Sequence, residues 1–194
     1  MKKKTDRKLL KTVLVGGIIM LILLAIDLVT KAWAEASWVS TNYLLGIVAL
    51  RFTRNQGIAF GIYSDNPTVM IVITVLTGFM IVGIGALFFT LFKKNTPAQI
   101  SLAVIEAGAI GNLIDRLCLT DEFGQHYVRD FIDLTRIHLG VCNIADFCIV
   151  IGAVVLVFII LFIGKHAVFP LKKEWREEAK RGDEEKERKK AKKQ

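Results

Sequence analysis

The sequence predicts an all-α membrane protein with four transmembrane helices and a small extracytoplasmic β-sheet or hairpin region. Apolar residues make up 53% of the 194-residue chain and are gathered into blocks. Four blocks, approximately 12–33, 68–92, 100–118 and 145–168, are long enough to cross a hydrocarbon core, which takes about 20 helical residues. The net charge of +8 flanks these blocks instead of covering one face.

Charge placement gives the expected topology. Residues 1–11 carry six Lys/Arg against one Asp, and residues 172–194 carry eleven against seven acids. Lys93 and Lys94 lie between the second and third blocks. Four crossings put both termini and the Lys93–Lys94 turn on one side, which the positive-inside rule makes cytoplasmic. A soluble basic protein would suggest nucleic acid, but basic residues that flank apolar spans are topology signals, so no nucleic-acid partner is expected. The expected organisation is a four-span membrane domain over 1–168 and a basic cytoplasmic tail over 169–194.

The first block has a competing reading. A basic start, an apolar run and then Ala32-Trp33-Ala34 resemble a cleavable leader. Asp27 and Lys31 stand between the run and that site, where such leaders are usually uncharged, so a retained helix is the expectation.

The outer connections are expected to be 34–67 and 119–143. In the first, Leu50 and Phe52 alternate with Arg51 and Thr53 before Asn/Gly punctuation, the period of a short strand or hairpin resting on the membrane surface. The second reads as a polar loop. Three cysteines, Cys118, Cys142 and Cys148, have no metal-ligand spacing, and an odd count cannot pair fully within one chain. No Cys/His cluster is visible, so neither a metal nor another cofactor is expected.

Ionisable residues in an apolar setting then carry the functional question. Asp27 and Lys31 share a helix face at i,i+4 and can pair. Asn112, Asp115 and Arg116 end the third block on one stripe, behind the small residues Ala107, Gly108, Ala109 and Gly111, which permit close helix approach. Asn143 can cap the fourth helix, with Asp146 in its first turn near the positive end of the helix dipole. Asp130 lies sixteen residues before Asp146 across a connection that can fold back. Two carboxylates held close cannot both ionise easily, so one keeps a proton while the other can deprotonate a water. On physical grounds alone this is one of several possible acid pairs.

Five motifs, in order, resemble the lipoprotein signal peptidases (signal peptidase II): "DLVTK" at 27–31, "RNQGIAFG" at 54–61, "GNLIDR" at 111–116, "VRDFID" at 128–133 and "CNIAD" at 142–146. The resemblance covers roughly 12–168. It implies an intramembrane aspartic endopeptidase of the bacterial inner membrane, its site toward the outer face. The implied substrate is a diacylglyceryl-modified prolipoprotein, cut before the lipid-modified cysteine, with membrane lipid as the other partner. It implies Asp130 and Asp146 as catalytic residues, with Asn55, Gly57, Asn112, Arg116 and Asn143 binding substrate or supporting the acids. It implies structural roles for Asp27, Lys31 and Asp115, and no metal or cofactor. The Asn55–Gly61 segment is a candidate clamp over the lipidated peptide, and Asp133 is demoted to support.

The chain departs from the family pattern in four places. Arg129 stands where a valine is usual, Cys142 where a Phe is common, and "CLTDEFGQHY" lengthens the connection to Asp130, adding Asp121 and Glu122, which are expected to be solvated. Glu106, inside the third block, has no family counterpart. The alternative function is a small proton-coupled carrier using the carboxylates as an ion path, which should place acids near the bilayer midplane. A non-enzymatic adaptor, with only structural acids, is a third reading.

Overall fold

The computed structural model describes residues 2–56, 67–90, 95–163, 167–169, 171–175, 177 and 181, with side chains from Leu10 onward except that of Pro67. Its elements are α1 (Lys2–Ser37), β1 (Ala49–Asn55), α2 (Pro67–Phe89), α3 (Thr96–Cys118), β2 (Val128–Asp133), β3 (Val141–Cys142) and α4 (Ile144–Phe162). A single 3-10 turn, Thr135–Ile137, joins β2 to β3. The four α-helices are long and apolar enough to cross a membrane.

Helix α3 is the axis of the bundle. It is the least apolar of the four and the most buried. Its neighbours are protein, so it tolerates Asn, Asp and Ser that lipid would reject. Helices α1, α2 and α4 instead leave large apolar side chains such as Leu21, Val29, Phe79, Val82 and Val154 exposed, the pattern of lipid-facing surfaces. Between the helices, Ile84, Phe88, Leu102, Ala103 and Ile105 form one apolar cluster.

Helix ends explain where each segment starts. Asn95 caps α3, accepting from the Ala98 N–H at 3.2 Å, and Pro97 sits in the first turn, where its missing N–H costs nothing. Buried Gln99 donates to the Phe88 carbonyl at 3.1 Å, satisfying an acceptor in the last turn of α2. Helix α4 opens with a reciprocal capping box: the Asn143 side chain accepts from the Asp146 N–H, and the Asp146 side chain accepts from the Asn143 N–H.

Glycine sets the α3–α4 approach. A Cβ on Gly108 would run into the Ala145 carbonyl oxygen and come within 2.9 Å of Ile149 Cγ1. On Gly111 it would strike the Asp27 carboxylate, and on Gly152 it would come within 2.7 Å of Ile105 Cγ1. Small residues here admit backbone contact that larger ones would block.

The three strands form one antiparallel sheet in the order β1-β2-β3. The sheet lies over an apolar cluster of Ala34, Phe52 and Phe131. The alternation seen in the sequence is interrupted by a bulge: Leu50 pairs with Ile132, but Thr53 pairs with Asp130, so β1 carries an extra residue between them. Bulges re-aim side chains near functional sites. Here the shift sets Thr53 opposite Asp130 and leaves Asn55, two residues on and pairing with Val128, at the strand's end.

Candidate active site

The polar residues singled out in the sequence converge at the end of the bundle where the sheet sits. There α1 and α3 end, and α2 and α4 begin. Asp130 comes from β2, Asp146 from the first turn of α4, Asn112 from the last two turns of α3, and Asn55 from the end of β1.

One residue touches both carboxylates. The Asn143 Nδ2 donates to Asp130 Oδ1 at 2.6 Å, while its backbone N–H donates to Asp146 Oδ2 at 3.0 Å. Asn112 Nδ2 donates to the other Asp146 oxygen at 2.8 Å, and Asn55 Nδ2 donates to Asp130 Oδ2 at 2.7 Å. Both amides have forced orientations. Asn112 Oδ1 accepts from the Lys31 ammonium at 2.8 Å, and ammonium can only donate. Asn143 Oδ1 accepts from the Asp146 N–H at 3.0 Å, which turns its Nδ2 toward Asp130.

Burial pushes the Asp130 carboxyl up to about 7, reinforced by the charge of Asp146 and opposed by donation from Asn55 and Asn143. Cys142, beside the pair, is pushed up to about 12 by burial and then by Asp146 and Asp130, so its thiol stays protonated and is no nucleophile at neutral pH. Arg116 donates to the Asn112 backbone carbonyl at 3.3 Å and faces the charges of Asp146, Asp130 and Asp115.

A buried ionic frame surrounds these groups. Lys31, wholly buried, lies 2.8 Å from Asp27 and 3.5 Å from Asp115. Asp27 Oδ1 in turn accepts from the Ala145 N–H at 2.8 Å, pinning the start of α4 to α1. Asp115 also pairs with Arg129 of β2, 2.7 Å away. Arg129 reaches Glu35 at 3.4 Å as well, and the Tyr127 hydroxyl donates to Glu35 at 2.7 Å. Asp115 and Arg129 each stand out in the sequence; their pairing, and Glu35, do not. The available signal is a cation next to Asp130.

Asp133 is on β2 but apart from the pair. It accepts from Tyr43 at 3.0 Å, from the Thr135 N–H at 2.9 Å and hydroxyl at 2.6 Å, and lies 2.6 Å from Arg51. Burial alone would raise it, but these partners together hold its carboxyl below the usual range. Glu122 is exposed, as expected, and lies near Arg54; Asp121 is only part-exposed and accepts from Gln56. Gly57 and the rest of the Asn55–Gly61 clamp beyond Gln56 lie outside the described residues, as do Lys93 and Lys94 and most of the basic tail. Glu106 sits midway along α3, near Gly85 of α2.

A four-helix membrane bundle with a surface sheet and two amide-bridged carboxylates defines a class: a polytopic membrane enzyme of hydrolytic type. The family model described as signal peptidase (SPase) II matches residues 19–162, and the chain belongs to that family of membrane proteases. The lipoprotein signal peptidase of Caldicellulosiruptor bescii is 35% identical over 163 residues, covering 82% of this chain and 99% of that one. That of Brevibacillus brevis is 32% identical over 152 residues, covering 76% and 95%. A bacterial membrane enzyme structure solved by the in meso method at 1.9 Å is similar in fold, with a TM-score of 0.62 and 26% identity over 76% of this chain and 92% of that one. Nothing in these likenesses favours a carrier.

Proposed function

We propose that this chain removes signal peptides from diacylglyceryl-modified prolipoproteins, cutting before the lipid-modified cysteine, with Asp130 and Asp146 as the catalytic pair. The observation that carries this reading is Asn143, whose side chain and backbone N–H bind one acid each. That bridge holds the two carboxylates as a unit, with Asp130 as the member that keeps the shared proton near neutrality.

Asp146 would take a proton from water as the resulting hydroxide bonds to the scissile carbonyl carbon. Asp130 donates its proton to the carbonyl oxygen. Collapse of the tetrahedral intermediate returns that proton to Asp130, breaks the C–N bond, and passes the Asp146 proton to the leaving amine. Asn112 and Asn143 hold the acids, and Asn55, Gly57 and Arg116 belong to the substrate-facing set. Asp27, Lys31 and Asp115 act as frame. Helix-end placement suits a substrate that is half lipid: acyl chains stay in the bilayer while water reaches the peptide bond.

The same reading sets the protein in the bacterial inner membrane with both termini cytoplasmic and the pair near the outer face. The support is the excess of Lys/Arg in residues 1–11 and 172–194. The involvement of Asp27 and Lys31 in the frame supports a retained first helix.

The test supplies a diacylglyceryl-modified prolipoprotein in detergent or liposomes to wild type, Asp130→Asn and Asp146→Asn. Wild type should release the signal peptide and each variant should lose activity by at least ~10³-fold. Release by either folded variant at the wild-type rate would sink the mechanism.

A further inference from the structure

Residues 119–127, between α3 and β2, form a small hairpin. Thr120 bridges His126, and the Asp121 N–H donates to the Gln125 carbonyl at 2.9 Å. Asp121 organises the turn: its Oδ1 accepts from the N–H groups of Phe123 at 2.9 Å and Gln125 at 2.8 Å. Gly124, at φ +77°, supplies the left-handed residue that closes it.

The hairpin's outward groups reach β1. Asp121 Oδ2 accepts from the Gln56 side-chain amide, and Glu122 lies 3.3 Å from Arg54. The Arg54 guanidinium also lies over the rings of Tyr127, at 5.2 Å, and Trp38, at 5.4 Å. Arg54 and Gln56 are the two chain neighbours of Asn55, whose amide meets Asp130 at 2.7 Å. Asn55 is the last paired residue of β1, a position where strand pairing alone gives the weakest restraint.

We propose that the Leu119–Tyr127 hairpin is a latch that holds Asn55 against Asp130, with Asp121 as a positioning residue acting through Gln56. The inference rests on the reading of Asp130 as one of the catalytic pair. The exposed Arg54–Glu122 pair contributes little alone. Asp121 is different, because its backbone donors fix the carboxylate before Gln56 arrives, so little entropy is lost in making the contact. The same donors, Gln125 first, hold the Asp121 carboxyl below its ordinary range, and it remains an acceptor throughout the working pH.

The consequence is legible at Asp130, which faces Asp146 from α4, Lys31 from α1, Arg116 from α3 and Cys142 from β3. Asn55 donates to the ionised form of this carboxyl and so favours it. A loosened Asn55 should therefore make Asp130 keep its proton to higher pH, and the alkaline limb of the pH–rate profile should move upward. A merely destabilised protein would lose amplitude without moving that limb.

The experiment measures kcat/KM against pH for full-length Gln56→Leu, Asp121→Ala, Asp121→Asn and the Gln56→Leu/Asp121→Ala double variant, with a diacylglyceryl-modified prolipopeptide in detergent. Gln56→Leu and Asp121→Ala should each lose about tenfold, one charge-assisted hydrogen bond's worth, with the alkaline limb up by about one unit. The double variant should lose no more than either single one. Asp121→Asn should be rescued, because its amide still caps the turn and Gln56 can rotate to accept from it. Wild-type profiles in Gln56→Leu and Asp121→Ala, beside an inactive Asp130→Asn, would overturn the latch alone, as would losses that multiply in the double variant. Full turnover by Asp130→Asn would instead overturn the catalytic pair.

Discussion

The Lys31 ammonium donates to the Asn112 side-chain carbonyl at 2.8 Å, and this contact decides which way the amide points. With its oxygen held by Lys31, Asn112 presents its Nδ2 to Asp146 at 2.8 Å. Lys31 lies in α1 and Asp146 in α4, so a cation on one helix sets the donor that meets an acid on another.

Lys31→Met should therefore damage both stability and turnover. It would leave Asp27 and Asp115, each nearly inaccessible, without their ammonium. Asp115 keeps Arg129, so the loss falls mainly on Asp27; removing one partner of a buried pair costs about 3–5 kcal/mol, because the remaining charge is uncompensated. A thermal melt in detergent checks it. An unchanged melting temperature would mean that Asp27 and Asp115 are satisfied without Lys31.

The pH dependence follows from Asp130. Its carboxyl is raised to about 7, so the singly protonated pair persists below that value and is lost as pH rises through it. Activity should fall on the alkaline side of about 7. The linkage has the same sign: a raised folded pKa contributes stability that is full below the unfolded value near 3.9 and is lost as pH rises through the folded one. Asp146→Asn removes one of the two causes of the shift, so the protonated-carboxyl infrared band of Asp130 should vanish at lower pH in that variant. A band that titrates as in wild type would show that the two acids do not sense each other.

Asp133→Asn should act on stability, with little effect on the pair's chemistry. Its carboxylate is fully buried among Tyr43, Thr135 and Arg51, and these donors lock the turn after β2 to the loop before β1. A depressed carboxyl contributes stability above its unfolded pKa and loses it as pH falls through the folded value. The difference in melting temperature between wild type and Asp133→Asn should thus be largest at neutral pH and shrink well below pH 4. A gap that stays constant into strong acid would assign the effect to shape, not charge.

Much of this fold was legible because it is written in short-range spacing. Four apolar blocks, the i,i+4 pair Asp27–Lys31 and the Asn143 cap each need only a few neighbouring residues to be seen. The Arg129–Asp115 pair, the bulge that sets Thr53 opposite Asp130 and the contact of Asp121 with Gln56 all join segments distant in the chain. Nothing in the local pattern announces such contacts. Asp121 illustrates the difficulty: an acid in a polar loop reads as solvated until the strand that needs it is known. Asp130 and Asp146 stood between these cases: helix capping marked Asp146, spacing left its partner open until the motif resemblance chose Asp130, and the fold-back across the sheet joins them through Asn143.

Gly108 separates packing from chemistry. Its missing side chain admits the Ala145 carbonyl, and Ala145 precedes Asp146 in the first turn of α4. Gly108→Ala must therefore push the start of α4 away from α3, and the Asn112–Asp146 contact at 2.8 Å is the first to lengthen. Overpacking of this kind costs roughly 1–3 kcal/mol, and a shift of even ~1 Å in a reacting group can cost about 10²-fold in rate. Gly17→Ala on α1 is the matched control, because a Cβ there meets nothing within 4 Å. It should leave turnover unchanged and add a few tenths to about 1 kcal/mol of helix stability. Turnover and melting temperature measured on both variants check the pair. Equal behaviour of Gly108→Ala and Gly17→Ala would mean that the α3–α4 contact does not position Asp146.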